Sequence, residues 1–446
     1  MVEPGEPLLE AERDAQLATA VRGRRASLWR HADYLKIWTA ATVSQMGSQV
    51  SLIAIPFIAA VVLRATPFEV ALLGTFEMLP FILFTLPAGA WLDRVRRRPV
   101  LIAGDLGRAA ALATIPAAYA LGILTIWQLY AVGFTTGLLT VFFDVADQSY
   151  LPVLLDAEDL VEGNAKLQIS ASASQVIGPG FGGALIGVVA APFAVLVDAA
   201  SFVASGGLIS LVRKHEPKPE RKRTADGRHT SLRQEILEGL RYVVGNRHLR
   251  MIAGSTGTSN LGTSMAFSIF PIFVYVQLGL SPALVGAAFS LGGLGVLVGA
   301  FVAAPLARRL GVGRVIIGSM VLTGPAALIL ALLPSYAIVA GTMLFAAQFL
   351  MGLSAVVYNV NQVSFRQAIT PLEIQGRMNA TMRFIVWGTM PLGSVLGGVL
   401  ASFLPLRTTV LVGGLVAASA FLWVLLSPVR SLREIPTAAR GASATD

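Results

Sequence analysis

Five charged residues sit where apolar chain should carry none. Glu77, Asp105, Arg108 and Asp198 fall inside long apolar runs, and Asp144 lies near the end of another. An ionisable side chain in a lipid-spanning segment is costly, so by default it marks proton movement, a substrate path or an internal ion pair. Asp105 and Arg108 are three apart and share a helix face, so the pair reads first as an internal ion pair. Glu77 has no cationic neighbour in its own run. A partly desolvated carboxylate of that kind can load and release protons near neutral pH. The structural alternative is a glutamate satisfied by polar groups of a neighbouring helix, and Asp198 offers the same two readings.

The remaining chemical inventory is narrow. The chain has no cysteine, which excludes disulfides, thiolate metal sites and cysteine nucleophiles. Its histidines, His31, His215, His229 and His248, fall in polar segments without metal-ligand spacing. No Walker loop, hydrolase elbow or zinc motif occurs, so the expectation is no enzyme, no metal and no cofactor. Work would then be driven by an ion gradient or by the substrate's own gradient.

The elements that must position these charges follow from composition. The 446 residues are 55% hydrophobic and 13% charged, with a mean hydropathy of +0.70. A soluble domain this apolar would have to bury nearly everything, whereas a polytopic membrane protein faces lipid. Segments of about 20 apolar residues are needed to cross a bilayer, and twelve are predicted: 38–63, 70–91, 100–124, 127–145, 169–189, 193–212, 249–276, 282–306, 315–333, 336–360, 382–404 and 409–426. Residues 1–36 carry no apolar core of a cleaved signal and read as a cytoplasmic tail.

The net charge of +9 would suggest nucleic acid in a soluble protein, but its distribution points to topology. Arg94, Arg96, Arg97, Arg98, Lys166, Arg308, Arg309, Arg314, Arg366 and Arg377, with both tails and the central loop, fall on one side; Arg64 and Arg407 fall on the other. The positive-inside rule makes the crowded side cytoplasmic, with both termini there. Residues 213–248 read as a basic linker followed by an amphipathic helix, with Ser231 and Gln234 spaced as a capping box and Leu232, Ile236, Leu240 and Val243 at helical spacing. The predicted organisation is a tail (1–36), a six-helix half (37–212), the linker (213–248), a second half (249–427) and a second tail (428–446).

The two halves repeat. A constant shift of 215 positions carries Pro56 onto Pro271, Pro67 onto Pro282, Gly47 onto Gly262, Gly178 onto Gly393 and Gly182-Gly183 onto Gly397-Gly398. Because the shift spans six helices, both copies start on the same side, which predicts parallel halves with a substrate path between them.

Between the second and third spans lies a short charged turn, Gly89-Ala-Trp-Leu-Asp93-Arg94-Val-Arg96-Arg97-Arg98-Pro99. Gly89, Asp93, Arg94, Arg97 and Arg98 resemble the loop between helices two and three of the major facilitator superfamily, with Arg96 standing where a second glycine is usual. Phe142-Phe143-Asp144, Tyr150-Leu151-Pro152, Asn164-Ala165-Lys166-Leu167 and Asp198-Ala-Ala-Ser-Phe202 are similar to the enterobactin-exporter and macrolide-efflux-like branch. The resemblance implies an all-α membrane fold of twelve helices in two parallel repeats. It also implies a loop that latches the inner face, with Asp93 approaching the start of span eleven and Arg97 reaching Asp144.

Gly178-Pro179-Gly180-Phe-Gly182-Gly183 resembles the motif of drug–proton antiporters. Its letters also satisfy G-x-G-x-x-G, but it follows no strand, lies inside an apolar helix and has no acidic ribose partner, which argues against a dinucleotide site. Glycines at spacing four let another backbone approach, and Pro179 loosens the local ladder, so the motif reads as pliant helix contact. On that reading leucine at Gly182 should stop transport and spare folding. The resemblance further implies a path lined by spans one, four, seven and ten, where Gln45, Gln49, Asn260, Ser264, Tyr358 and Asn359 are the polar candidates. The expected function is a secondary transporter, and the resemblance favours a monomeric plasma-membrane exporter exchanging a siderophore, macrolide or other amphipathic molecule for protons. An uptake permease, or a transport-inactive sensor or scaffold, are the alternatives.

Overall fold

Apolar chain in lipid has no water to satisfy its backbone, so it must close its hydrogen bonds within each segment. In the computed structural model, which describes residues 28–92, 95–156, 158–214, 216 and 232–433, it does so as helix, with no strand among the described residues. In chain order the helices are α1 (Ala32–Phe57), α2 (Pro67–Leu92), α3 (Arg97–Ala120), α4 (Ile126–Leu154), α5 (Leu160–Val188), α6 (Ala191–Ser210) and the short α7 (Leu232–Gly245). They continue with α8 (Arg247–Pro271), α9 (Pro282–Leu310), α10 (Val312–Val321), α11 (Thr323–Ala331), α12 (Ala337–Ile369), α13 (Leu372–Phe403), α14 (Leu406–Ser419) and α15 (Phe421–Leu425).

Among the described residues eleven helical stretches are long and apolar enough to cross a membrane, α10 with α11 and α14 with α15 each forming one. The remaining long helix, α5, has the length, but its serines and glutamines dilute its apolar content. The ninth span is broken because Pro325 crowds the carbonyl of Val321, which ends α10. Four helices overrun their apolar spans at the same end. Helix α4 continues to Leu154 and α12 to Ile369, while α5 begins at Leu160 and α13 at Leu372. A helix needs only a satisfied backbone, so it can outlast the apolar side chains that mark a span.

The 215-position shift holds at the level of single hydrogen bonds. Pro56 disturbs the ladder of α1, which gives way to a π-helical turn, Ile58–Val62. There Leu63 donates to the Ile58 carbonyl at 2.9 Å, Ala65 donates to Ala59 at 2.9 Å, and Arg64 takes a left-handed φ of 52°. After Pro271 the second copy does the same in Ile272–Gln277. Leu278 donates to Phe273 at 3.0 Å, Leu280 to Val274 at 2.9 Å, and the left-handed position is Gly279 at φ 66°.

Within the first half α1 packs on α5 and α6, and α2 on α4; in the second, α8 packs on α13 and α14, and α9 on α12. The halves meet along α2 with α13 and α5 with α9. The shift exchanges these two pairs, so one interface is used twice, as a two-fold between parallel repeats requires. The buried apolar clusters show where the halves join. At the end remote from the arginine-rich loops, one cluster of the first half takes in Ile272 and one of the second takes in Ala71. At the basic end the clusters around Tyr150 and around Phe365 each draw on a single half. Helix α7 packs beneath the second half. Its Tyr242 hydroxyl donates to the Ile369 carbonyl at 3.3 Å, and Glu238 pairs with Arg377 at 2.7 Å. Ser231, the expected cap of α7, lies outside the described residues.

Candidate functional site

The glycine motif of α5 builds the seam. Gly178 receives the Gln49 side chain of α1, and a Cβ on Gly182 would stand 3.0 Å from Val50 Cα and 3.2 Å from the Gln49 carbonyl. These contacts stay inside the first half. Pro179 and Gly183 face the other way: a Cβ on Gly183 would fall on the Pro282 carbonyl of α9, and one on Gly286 would fall on the Pro179 carbonyl. The Gly180 amide donates to Ser290 Oγ of α9 at 2.7 Å, a hydrogen bond between halves. The second copy matches, with Gly393 and Gly397 against the α8 backbone and Gly398 against α2, where a Cβ would lie 2.7 Å from Ala71 Cβ. The motif thus has two faces, and Gly182 serves packing inside one half rather than the seam. Leucine at Gly182 is accordingly expected to cost folded protein, where spacing alone predicts that it spares folding.

Further towards the basic end, past Phe81 and Trp387 with ring centroids 6.1 Å apart, a chamber opens. Its volume is about 640 Å³ and its wall is formed by the second half, mainly α8, α12 and α13 with Met320 of α10 and Thr323 of α11. That volume lies within the roughly 300–1,000 Å³ of small-molecule sites. Asn260, Tyr358 and Asn359, three of the six path candidates, are brought together in its lining. The other three are not among the lining residues: Gln49 fills the notch at Gly178, Ser264 packs against Gly393, and Gln45 stays on α1 with a buried, unpartnered Oε1. The chamber also holds Gln362, Arg366 and Arg383, which the sequence pattern did not single out as ligand contacts. Arg383 had a signal, a charge inside the eleventh apolar span; Arg366 was indistinguishable from a topogenic arginine.

Of the embedded charges, Asp105 and Arg108 form the expected pair, with Arg108 Nη2 2.6 Å from Asp105 Oδ1 and both residues buried. The guanidinium is held between Phe143 and Phe202, 4.3 and 4.2 Å from their ring centroids. Such a pair is architecture, and breaking a buried pair costs about 3–5 kcal/mol. Asp105→Asn is therefore expected to lower unfolding stability by that amount, read from denaturant unfolding in detergent, whereas Asp198→Asn should cost about 1 kcal/mol. Asp198 is buried and accepts hydrogen bonds from Ser48 at 3.2 Å and Ser201 at 3.3 Å.

Glu77 differs from these. It is half-buried, its Cγ rests in the space left by Gly133 of α4, and its backbone carbonyl abuts Gly137. Among the described residues its carboxylate makes no hydrogen bond and no ion pair. Asp144 is exposed on α4 and feels the guanidinium charges of Arg108 and of Arg383, across the gap between halves. Asp147, one turn further along α4, also faces the charge of Arg108 and was missed because it lies beyond the predicted span.

At the charged turn, Asp93 and Arg94 lie outside the described residues, and Gly89 has open space around its Cα. Arg97 does not reach Asp144. Its Nη1 lies 3.6 Å from Glu216 of the central linker, whose carboxylate also accepts from the Arg97 amide at 2.7 Å and the Arg98 amide at 3.0 Å. A carboxylate on the first free amides of α3 satisfies donors that the helix itself cannot. Arg98 in turn donates from Nε to the Ile209 carbonyl at 3.2 Å, bracing the end of α6. In the second half the corresponding amides of Val312 and Gly313 donate to the carbonyls of Arg433 and Leu432, at 3.2 and 3.0 Å. Gly311 there has φ 90°, whereas its counterpart Arg96 is extended at φ −68°, so the turn without the second glycine avoids the left-handed region.

A family model described as transmembrane secretion effector matches residues 26–443. The chain is similar to the multidrug efflux pump Tap of Mycolicibacterium fortuitum, 24% identical over 387 residues, covering 84% of this chain and 91% of the relative. It is 27% identical over 401 residues to Tap of Mycobacterium tuberculosis, covering 85% and 91%. It is 24% identical over 386 residues to the uncharacterised MFS-type transporter YfiS of Bacillus subtilis, covering 84% and 88%. Among solved structures, a bacterial homologue of the iron transporter ferroportin in its inward-facing state superposes with a TM-score of 0.68 at 18% identity, covering 89% of this chain and 99% of that one. The nucleoside transporter NupG superposes with a TM-score of 0.67 at 13% identity, covering 88% and 99%.

Proposed function

This chain belongs to the transmembrane secretion effector family of major facilitator transporters, and on that premise we propose that it exports an amphipathic small molecule in exchange for protons. The observation that carries the reading is the one-sided seam. Two glycine-lined interfaces hold the halves together at one end, while the chamber and its unshared apolar clusters lie towards the other. Rocking the halves about the seam would expose the chamber to each side in turn.

On this reading the basic end is the cytoplasmic one by the positive-inside rule, which puts the chamber on the cytosolic side. Export, rather than uptake, is supported by the efflux-pump relatives. Proton coupling is supported by Glu77, a membrane-embedded carboxylate without a partner among the described residues. On this reading the protein works in the plasma membrane as a monomer with both termini inside, and Asp144, facing the charge of Arg383 on the other half, acts at its inner gate. Everted membrane vesicles loaded with a pH indicator test the whole. Cargo addition is expected to release protons from acidified vesicles only when the protein is present. Proton release that ignores cargo, or cargo leaving instead of entering such vesicles, would overturn the reading.

A further inference from the structure

The chamber's electrostatics are uneven. Its lining contains two guanidiniums, Arg366 and Arg383, and no carboxylate. Arg383 is partly answered: it lies 5.1 Å over the Trp387 ring and within electrostatic reach of Asp144 on the facing half. Arg366 is not. It makes no ion pair among the described residues, its one charge-sensitive neighbour is the Tyr358 hydroxyl, and its Nε is shielded from solvent without a hydrogen-bond partner. Gln362, one turn away on α12, likewise has a buried Oε1 without a partner, its amide being spent on Asn359 at 2.9 Å. A guanidinium left unsatisfied at the wall of a cavity stabilises an anion that reaches it, and the Gln362 oxygen, an acceptor, is satisfied by an N–H or O–H donor elsewhere on the same molecule.

A second cavity, of about 380 Å³, adjoins this one and shares Thr263, Met351 and Ala355 with it. Its wall is mostly apolar, including Val176 of α5, Phe267 of α8, and Phe289 and Leu297 of α9. Polar chamber and apolar annex thus meet along a shared wall, the one cationic and the other greasy.

We propose that these adjoining cavities are the cargo site and that the cargo is an amphipathic organic anion, its acidic group held at Arg366 and its apolar body lodged in the annex. The inference rests on the transporter reading and names the class of cargo. Its chemistry fits a free organic acid and the headgroup of an anionic lipid alike.

Three fluorophores that differ in charge but little in bulk test it: dansylglycine (anion), its methyl ester (neutral) and dansylcadaverine (cation), titrated against the full chain in phosphatidylcholine nanodiscs by energy transfer from tryptophan. Dansylglycine is expected to bind at least tenfold more tightly than dansylcadaverine. Arg366→Gln should lower dansylglycine affinity tenfold or more, to that of the ester, and leave the ester unchanged. Arg366→Lys should stay within threefold of wild type, which separates lost charge from lost fold. Replacing part of the phosphatidylcholine by phosphatidylglycerol assigns the source: displacement of the probe in wild type but not in Arg366→Gln identifies a lipid headgroup, and unchanged affinity identifies a free acid. Equal binding of anion and cation, an unaffected Arg366→Gln, or no saturable binding of any probe would overturn the inference. None of these outcomes touches the proton release by cargo that judges the transporter reading, so the two can fail separately.

Discussion

Gly183→Leu should lock the transporter open towards the side opposite its basic loops. A side chain at this position has nowhere to go while the seam is closed, because its Cβ alone would fall on the Pro282 carbonyl and come within 3.1 Å of Gly286 Cα. Both obstacles are backbone of the other half, which cannot swing aside as a side chain could. Overpacking of this kind costs about 1–3 kcal/mol. Levied on one of two states, it shifts their balance about 5–150-fold. Leucine at Gly398, which meets Ala71 and Phe68 across the second seam, should add to the effect. The absence of native cysteine makes the measurement direct. Asn359→Cys in the chamber is expected to be labelled from the basic side in the parent, and from the opposite side once Gly183→Leu is introduced. Transport should fall more than tenfold with the folded protein retained. Unchanged labelling with unchanged transport would show that the seam is not where the halves part. Gly182→Leu is the contrast, since it presses on Val50 within its own half and should appear as loss of folded protein.

Glu77→Gln should separate transport from the proton gradient. Glutamine keeps the shape that fits against Gly133 but can neither take up nor release a proton. Proton-driven transport in proteoliposomes is expected to drop to the level of empty liposomes. Substrate exchange across the same membranes, which needs no net proton movement, should remain near wild type. Stability should rise or stay level, because a half-buried carboxylate without a partner is exchanged for a group that costs less to desolvate. This is the opposite of Asp105→Asn, where the carboxylate is what keeps Arg108 satisfied. Full proton-driven transport in Glu77→Gln would return Glu77 to a packing role and move the search to Asp144 and Asp147, the carboxylates beside the central gap.

These two experiments separate groups that look alike in the sequence. Glu77, Asp105 and Asp198 are each a lone acid in an apolar run, yet one is unpartnered, one is ion-paired and one is surrounded by serine hydroxyls. The Asp105 pairing was legible because both partners lie on one helix, three residues apart. The Ser201 contact of Asp198 is equally local, but the Ser48 contact comes from another helix and carries no such signature. The same holds for Gln49, a good path candidate by polarity that is consumed by the notch at Gly178.

Composition and pattern by themselves determined the membrane class, the helices, the parallel repeat and the asymmetry of charge between the two ends. Each of these depends on local chemistry: apolar length against bilayer thickness, the helix-breaking of Pro56 and Pro271, and the placement of arginines along the chain. The tertiary structure decided which face of a helix meets which neighbour. It gave Arg97 to Glu216 instead of Asp144, and left Arg366 unanswered at the wall of the chamber. It also divided the glycine motif, so that Gly182 packs inside one half and Gly183 forms the seam between halves. Adjacent residues on a helix point about 100° apart, so neighbours in a motif can serve different partners, and only packing determines which.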